Sequence, residues 1–211
     1  MLRRTLLSYA AGAAALLAPR PIAAATSTTL QPATGPARHA QDDWMDDAPH
    51  GHRVVFDTWY ADRFGEAVGF ASNWARMNKE AYGLTDKDIA IIIVTRHGSG
   101  PFAFNEAIWT KYGAIFAANM SAADKVQHPN PTTNVHLARL TALAAQGMRL
   151  AVCNLTTRAY TQRIAKETGA DPEAVYKELT TNTVAPATFV PAGIVAVTRA
   201  QERGYSLVAT G

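Results

Sequence analysis

Cys153 is the single cysteine of a 211-residue chain. It closes a short apolar run, Met148-Arg149-Leu150-Ala151-Val152, and a polar stretch, Asn154-Leu155-Thr156-Thr157-Arg158, opens a helix behind it. A residue where a strand hands over to a helix lies where open α/β sheets carry ligands and chemistry. The helix N-terminus brings partial positive charge and free N–H groups, which favour the thiolate, the nucleophilic form of cysteine. Arg158, about one turn into that helix, adds positive charge. His97 ends a second strand candidate, so a parallel sheet brings it to the same edge. There an imidazole could take the thiol proton or hydrogen-bond a sulfur carried on it. Each residue also has a plainer reading. Free cysteine is among the most buried residue types, so Cys153 is either inert in the core or kept for its reactivity. His97 is either part of a site or a histidine that bonds its own loop.

Gly98-Ser99-Gly100-Pro101-Phe102-Ala103 has the G-x-G-x-x-A pattern of a dinucleotide site. Pro101 stiffens the turn, and no acidic residue ends the next strand where a ribose would need one. The remaining readings are a tight turn, or a nest of N–H groups around a small anion such as a sulfur oxyanion. Gly98, Ser99 and Gly100, with Asn154 beside the thiol, form the candidate binding set.

The elements that must position these residues follow from periodicity. Arg53 to Asp57 reads as a strand. Ala67, Phe70, Trp74, Met77 and Ala81 make one apolar stripe and predict a helix over 64–82, closed by Gly83. Ile89 to Val94 is a continuous β-branched run, the mark of a strand buried on both faces. Helices are expected over 102–116, 135–146 and 157–168. Asp171-Pro172-Glu173 starts another, with Asp as N-cap and Pro at the first helical position. Strands at 188–191 and 206–209 flank a last helix over 193–203. Five strands alternating with helices predict an α/β fold with an open, mostly parallel five-stranded sheet.

Residues 1–25 read as an export signal. Arg3 and Arg4 form the charged start, Leu6 to Ala18 the apolar run, and Ala23-Ala24-Ala25 the small residues near which cleavage is expected. The arginine pair resembles a twin-arginine signal, with an ordinary secretory signal as the other reading. In a Gram-negative source the destination is the periplasm. The formal charge of +3 rests on this segment. Without Arg3, Arg4 and Arg20, Lys+Arg falls from 20 to 17 and equals Asp+Glu. A near-neutral body with no basic patch gives no argument for nucleic acid. No later run approaches the ~18 apolar residues of a membrane span. Residues 26–51 read as an extended arm ahead of a domain over 52–211. Asp42, Asp43, Asp46, Asp47, His50 and His52 could together hold a metal. The preferred reading is a solvated arm with Trp44 docked on the body or on a neighbouring subunit, because metal sites need fixed geometry.

The order and spacing of four stretches resemble the DsrE/DsrF-like proteins, which include sulfur-relay subunits. They are Val54-Val55-Phe56; Arg96-His97-Gly98 with Phe102 to Trp109 behind it; Gln146 to Asn154; and Val190-Pro191-Ala192-Gly193-Ile194-Val195 ending in Gln201 to Tyr205. The resemblance spans roughly residues 53–209. It implies a five-stranded sheet with helices on both faces, assembly into trimers or hexamers, and a cysteine at position 153 that accepts and passes on a persulfide sulfur. A sulfur donor or acceptor protein would be the partner, and no cofactor is implied. The export signal, the extra helical sequence around 165–183 and the bulky residues after Cys153 depart from the family pattern. The expected function is therefore a persulfide carrier using Cys153, with His97 and Arg158 in support. The alternative is a non-catalytic exported oligomer that binds a small ligand or a metal, with His97, Cys153 and His136 as the histidine and thiol donors.

Overall fold

The computed structural model describes residues 35–46, 51–118, 120 and 131–211. The export-signal reading of residues 1–25 lies outside the described residues, as do Asp47 and His50 of the arm. The described residues from Ala37 to Gly211 belong to one unit.

Five strands make one sheet in the order β4-β3-β2-β1-β5, every neighbouring pair parallel. They are β1 (His52–Thr58), β2 (Ile89–Thr95), β3 (Arg149–Cys153), β4 (Ala187–Val190) and β5 (Ser206–Thr210). β2 is buried along its whole length, as its β-branched run requires. The helices are α1 (Ala61–Tyr82), α2 (Glu106–Ala118), α3 (Leu137–Ala145), α4 (Asn154–Thr168), α5 (Pro172–Thr181) and α6 (Gly193–Glu202), with 3₁₀ segments at Ala40–Met45 and His97–Ala103.

The connections explain the two faces. From β1 to β4 the chain steps one strand at a time in one direction. From β4 to β5 it returns past three strands. Crossovers between parallel strands are right-handed, so reversing the direction moves the connecting helix to the opposite face. Val54, Phe56, Ile91, Ile93, Leu150 and Val152 accordingly pack under residues of α1 to α5. Val55, Ile92, Val94, Ala151 and Val190 pack under α6 through Ala196, Val197 and Ala200. Ten residues of helix cannot cover a five-stranded face alone. The arm completes the cover: Met45 is buried in that second cluster and Trp44 packs against it.

The arm is therefore docked, and a 3₁₀ turn replaces the expected extended chain over 40–45. Its acids serve arginines. Asp46 pairs with Arg38 at 2.6 Å, Arg53 at 2.8 Å and the buried Arg203 at 3.1 Å, and Asp42 faces Arg199 at 3.8 Å. The Tyr205 hydroxyl donates to the Met45 carbonyl at 2.6 Å. Among the described residues no group of three or more His, Cys, Asp or Glu converges. No helix of the described residues is long and apolar enough to cross a membrane.

α1 corrects the predicted stripe. It buries Ala61, Phe64, Ala67, Val68, Ala71 and Ala75, while Phe70 stays 50% and Met77 42% exposed. Alanines let the helix axis approach the sheet closely, so the small-residue face packs inward and the large apolar side chains ride at its border. An aromatic chain then ties the layer together. Phe64 stacks on Phe102 at 5.0 Å, Phe102 on Trp109 at 5.3 Å, and Phe116 meets Trp109 and Tyr160 edge-on at 5.4 and 5.3 Å.

The docking of the arm is testable through Asp46. Burial pushes its carboxyl up, but the Arg53 hydrogen bond and the charges of Arg38, Arg203 and Arg53 outweigh that and hold it below the ordinary 3.8. A lowered folded pKa gives stability that is present above the ordinary value and lost as pH falls through the folded one. Asp46→Asn is expected to cost about 1–3 kcal/mol at pH 7 in urea unfolding, mainly by leaving buried Arg203 short of its carboxylate. The difference from wild type should narrow below about pH 4. A difference that stays level from pH 7 to pH 3 would contradict the assignment.

Candidate functional site

Side chains alternate across a strand, so every second residue of β1, β2 and β3 faces α6. Val55, Val94 and Ala151 belong to that face. Two residues further on, at the carboxyl ends, come Asp57, Arg96 and Cys153. β1 and β2 pair Asp57 with Val94, and β2 and β3 pair Thr95 with Val152, so the three fall on adjacent strands at one edge.

Arg96 is the centre of this row. Its Nε and Nη2 donate to the two Asp57 carboxylate oxygens at 2.8 and 2.9 Å. Its guanidinium lies 4.8 Å from the Trp59 ring centroid. The Asp57 hydrogen bond raises the Arg96 pKa against the opposing effect of burial, and the charges of Asp57 and Cys153 add to the rise. Gly193, the first residue of α6, rests on this side chain. A Cβ there would lie 2.8 Å from Arg96 Cδ and 3.1 Å from Val94 Cγ1. The chain thus leaves β4, crosses the end of β3 and brings the α6 N-terminus over Arg96.

Cys153 stands between two helix starts. It is itself the N-cap of α4, with no intervening turn, and it pairs in register with Val190, three residues before α6 begins. β3 sends its helix to one face and β4 to the other. Adjacent strands whose helices diverge define the switch-point crevice of an open α/β sheet. Cys153 ends its strand at that switch point, 5% exposed.

The expected helpers have partners of their own. Arg158 pairs with Glu173 at 2.6 Å and stacks 3.4 Å from the Tyr176 ring centroid, so it fastens α4 to α5. Arg96 is the cation whose charge couples to Cys153. Asn154 accepts the Tyr176 hydroxyl at 2.8 Å and joins the same α4–α5 contact. His97 is exposed and its N–H donates to Thr156 Oγ1 at 2.9 Å. Its backbone is left-handed, φ 49°, unlike any other described non-glycine residue. His136 is wedged between Phe64 and Phe102, ring centroids 5.1 and 4.8 Å away.

Of the two readings of Gly98-Ser99-Gly100, tight turn or anion nest, the hydrogen bonds match the turn. Gly98 N–H donates to the Trp59 carbonyl at 2.9 Å and Ser99 N–H to the Arg96 carbonyl at 3.1 Å. Buried Ser99 Oγ accepts the Arg96 N–H at 3.1 Å and donates to the Thr58 carbonyl at 2.9 Å. Gly100 permits close packing, since a Cβ there would lie 2.6 Å from Thr156 Cγ2. Gly98, Ser99 and Gly100 therefore fix the ends of β1, β2 and α4 to one another and leave few donors for an anion. Buried Asn134 secures the far end of the segment, donating to the carbonyls of Phe102 and Phe104 at 3.0 and 2.9 Å.

Asp57, Arg96 and Asn134 escape a reading of the sequence because their meaning depends on strand order. The available signal is two opposite charges, each just past the apolar part of a strand. The pairing is expected to show in a double-mutant cycle. Arg96→Met leaves a nearly buried carboxylate without its cation and should cost about 3 kcal/mol, as should Asp57→Asn. The double variant should cost clearly less than the sum. Additive losses in denaturant unfolding would show that the two side chains act separately.

No family model matches the chain, and no curated protein matches it. Among solved structures it is similar to a protein of unknown function from Methanobacterium thermoautotrophicum, at 15% identity and a TM-score of 0.41, over 75% of this chain and 98% of that one.

Proposed function

We propose that the protein is an exported, DsrE-like sulfur carrier that holds a sulfane sulfur on Cys153. The observation that carries this reading is the place of the thiol: at the switch point, as N-cap of α4, paired with Val190 just ahead of α6, and next to Arg96 along the strand ends. Two helix N-termini and a guanidinium favour an anion on that sulfur. Burial is compatible with carriage, because a persulfide needs shelter from solvent thiols and oxidants between transfers.

The chemistry is balanced without an external oxidant. The thiol releases its proton to solvent. The thiolate then attacks the terminal sulfur of a polysulfide, forming one S–S bond and breaking another, and the shortened polysulfide leaves with the electron pair. Cys153 now bears a persulfide anion. An acceptor thiolate attacks its outer sulfur, takes that atom, and returns the electron pair to Cys153. Arg96 balances the negative charge on either form of the sulfur, and Asp57 holds Arg96 in place. Half-exposed Ile194 and Val195 in the first turn of α6 form an apolar rim beside the crevice, of the sort a protein donor, acceptor or second copy covers. Assembly into trimers or hexamers, as in the family it resembles, belongs to the same proposal.

The test is intact mass after incubation with polysulfide. Wild type should gain a sulfur atom, lose it to a reductant, and pass it to a small thiol acceptor. Cys153→Ser should gain none. A wild type that stays unmodified while folded, but gains sulfur once unfolded, would make Cys153 a structural core residue.

A further inference from the structure

A second site lies on the other side of the His97 segment. A cavity of about 310 Å³ opens along the first three turns of α4, lined by His97, Leu155, Thr156, Ala159, Tyr160 and Arg163. None of these belongs to the Asp57–Arg96–Cys153 row. The wall between the His97 segment and α4 is firm, because Gly100 and Thr156 leave no room between them. His97 is held in its left-handed conformation by the bond from its N–H to Thr156 Oγ1. A non-glycine residue kept in that conformation is strained, and such strain concentrates where a side chain must be aimed at a ligand.

The lining has two chemistries. Leu155 is 68% exposed although large and aliphatic, and it continues into Ala159 and the ring of Tyr160. Arg163 closes the other end. Its guanidinium lies 5.6 Å from the Tyr160 ring centroid, and it has no carboxylate partner among the described residues. Arg158, one turn earlier, is by contrast paired with Glu173. Thr156 Oγ1 accepts the His97 N–H, and its own proton has no acceptor among the described residues. An unpaired guanidinium, a hydroxyl donor and an imidazole beside an apolar wall match an anion that carries an apolar body.

We propose that this pocket binds a small organic carboxylate. Its carboxylate meets Arg163, with His97 and the Thr156 hydroxyl as further donors. Its apolar part lies on Leu155, Ala159 and Tyr160. The site is distinct from the sulfur on Cys153 and stands whether or not that reading holds.

Benzoate, the neutral isostere benzamide and inorganic sulfate are suitable probes, followed through the backbone amide signals of the purified protein. Benzoate should give saturable shifts centred on His97, Thr156 and Arg163. Benzamide and sulfate should each bind at least tenfold more weakly. Arg163→Met, an exposed substitution that leaves the core untouched, should abolish the preference for benzoate over benzamide. Cys153→Ser should bind benzoate as wild type does, which separates this site from the crevice. The proposal is overturned by equal binding of benzoate and benzamide, by sulfate binding as well as benzoate, by unchanged selectivity in Arg163→Met, or by the absence of saturating shifts at these amides.

Discussion

Arg96 reaches from the end of β2 across the carboxyl edge of the sheet and forks onto Asp57 of β1. One side chain thereby closes the edge of two strands, supports the Trp59 ring on one flank and receives Gly193 of α6 on the other. Asp57 matches its cation, which is only partly exposed and gains from a partner in good geometry. Everything else at the edge is arranged around that pair. The α6 N-terminus can come down over the sheet only because Gly193 has no side chain to strike Arg96. Cys153 lies next along the row.

Chain reversal after β4 gives the molecule unequal faces. One face is covered by five helices and locked by stacked aromatics. The other is covered by a single short helix and the docked arm. The switch point falls where the two arrangements meet, so that the paired strand ends at Cys153 and Val190 lead into helices on opposite faces. The arginines of the thin face, Arg53, Arg199 and Arg203, are met by Asp42 and Asp46 of the arm. Charge pairing as well as apolar contact therefore holds the cover on.

Most of the elements were legible in the sequence, for physical reasons. Ile89 to Val94 can hardly be other than a central strand, and Asp171-Pro172 starts a helix by local chemistry, with the Asp171 carboxylate accepting the Ala174 N–H at 3.0 Å. The five strands and the parallel pairing follow from such signals. What lay beyond them depends on the third dimension. The α1 stripe faces inward only at Ala67 and Trp74, because periodicity counts large apolar residues, whereas the helix buries mostly alanines beside Phe64 and Val68. Residues 97–103 form a 3₁₀ knot rather than an anion nest because partners from β1 and α4 take up its hydrogen-bonding groups. Arg158 turned outward because Glu173 and Tyr176, fifteen and eighteen residues on, offer it a site that helix spacing alone does not reveal. Cys153 stands at the strand-to-helix junction that the sequence predicts, while its neighbour Arg96 depends on the pairing of β2 with β3.

The proposed sulfur chemistry requires the sheltered thiol of Cys153 to be reachable and to feel the positive charge of Arg96. The most direct measurement compares the rates at which anionic iodoacetate and neutral iodoacetamide alkylate Cys153 in the folded protein, against the same pair on a free cysteine peptide. The account predicts slow but measurable reaction with both, and a ratio that favours iodoacetate over the peptide value. Reaction that begins only on unfolding, or a ratio no higher than that of the peptide, would contradict it.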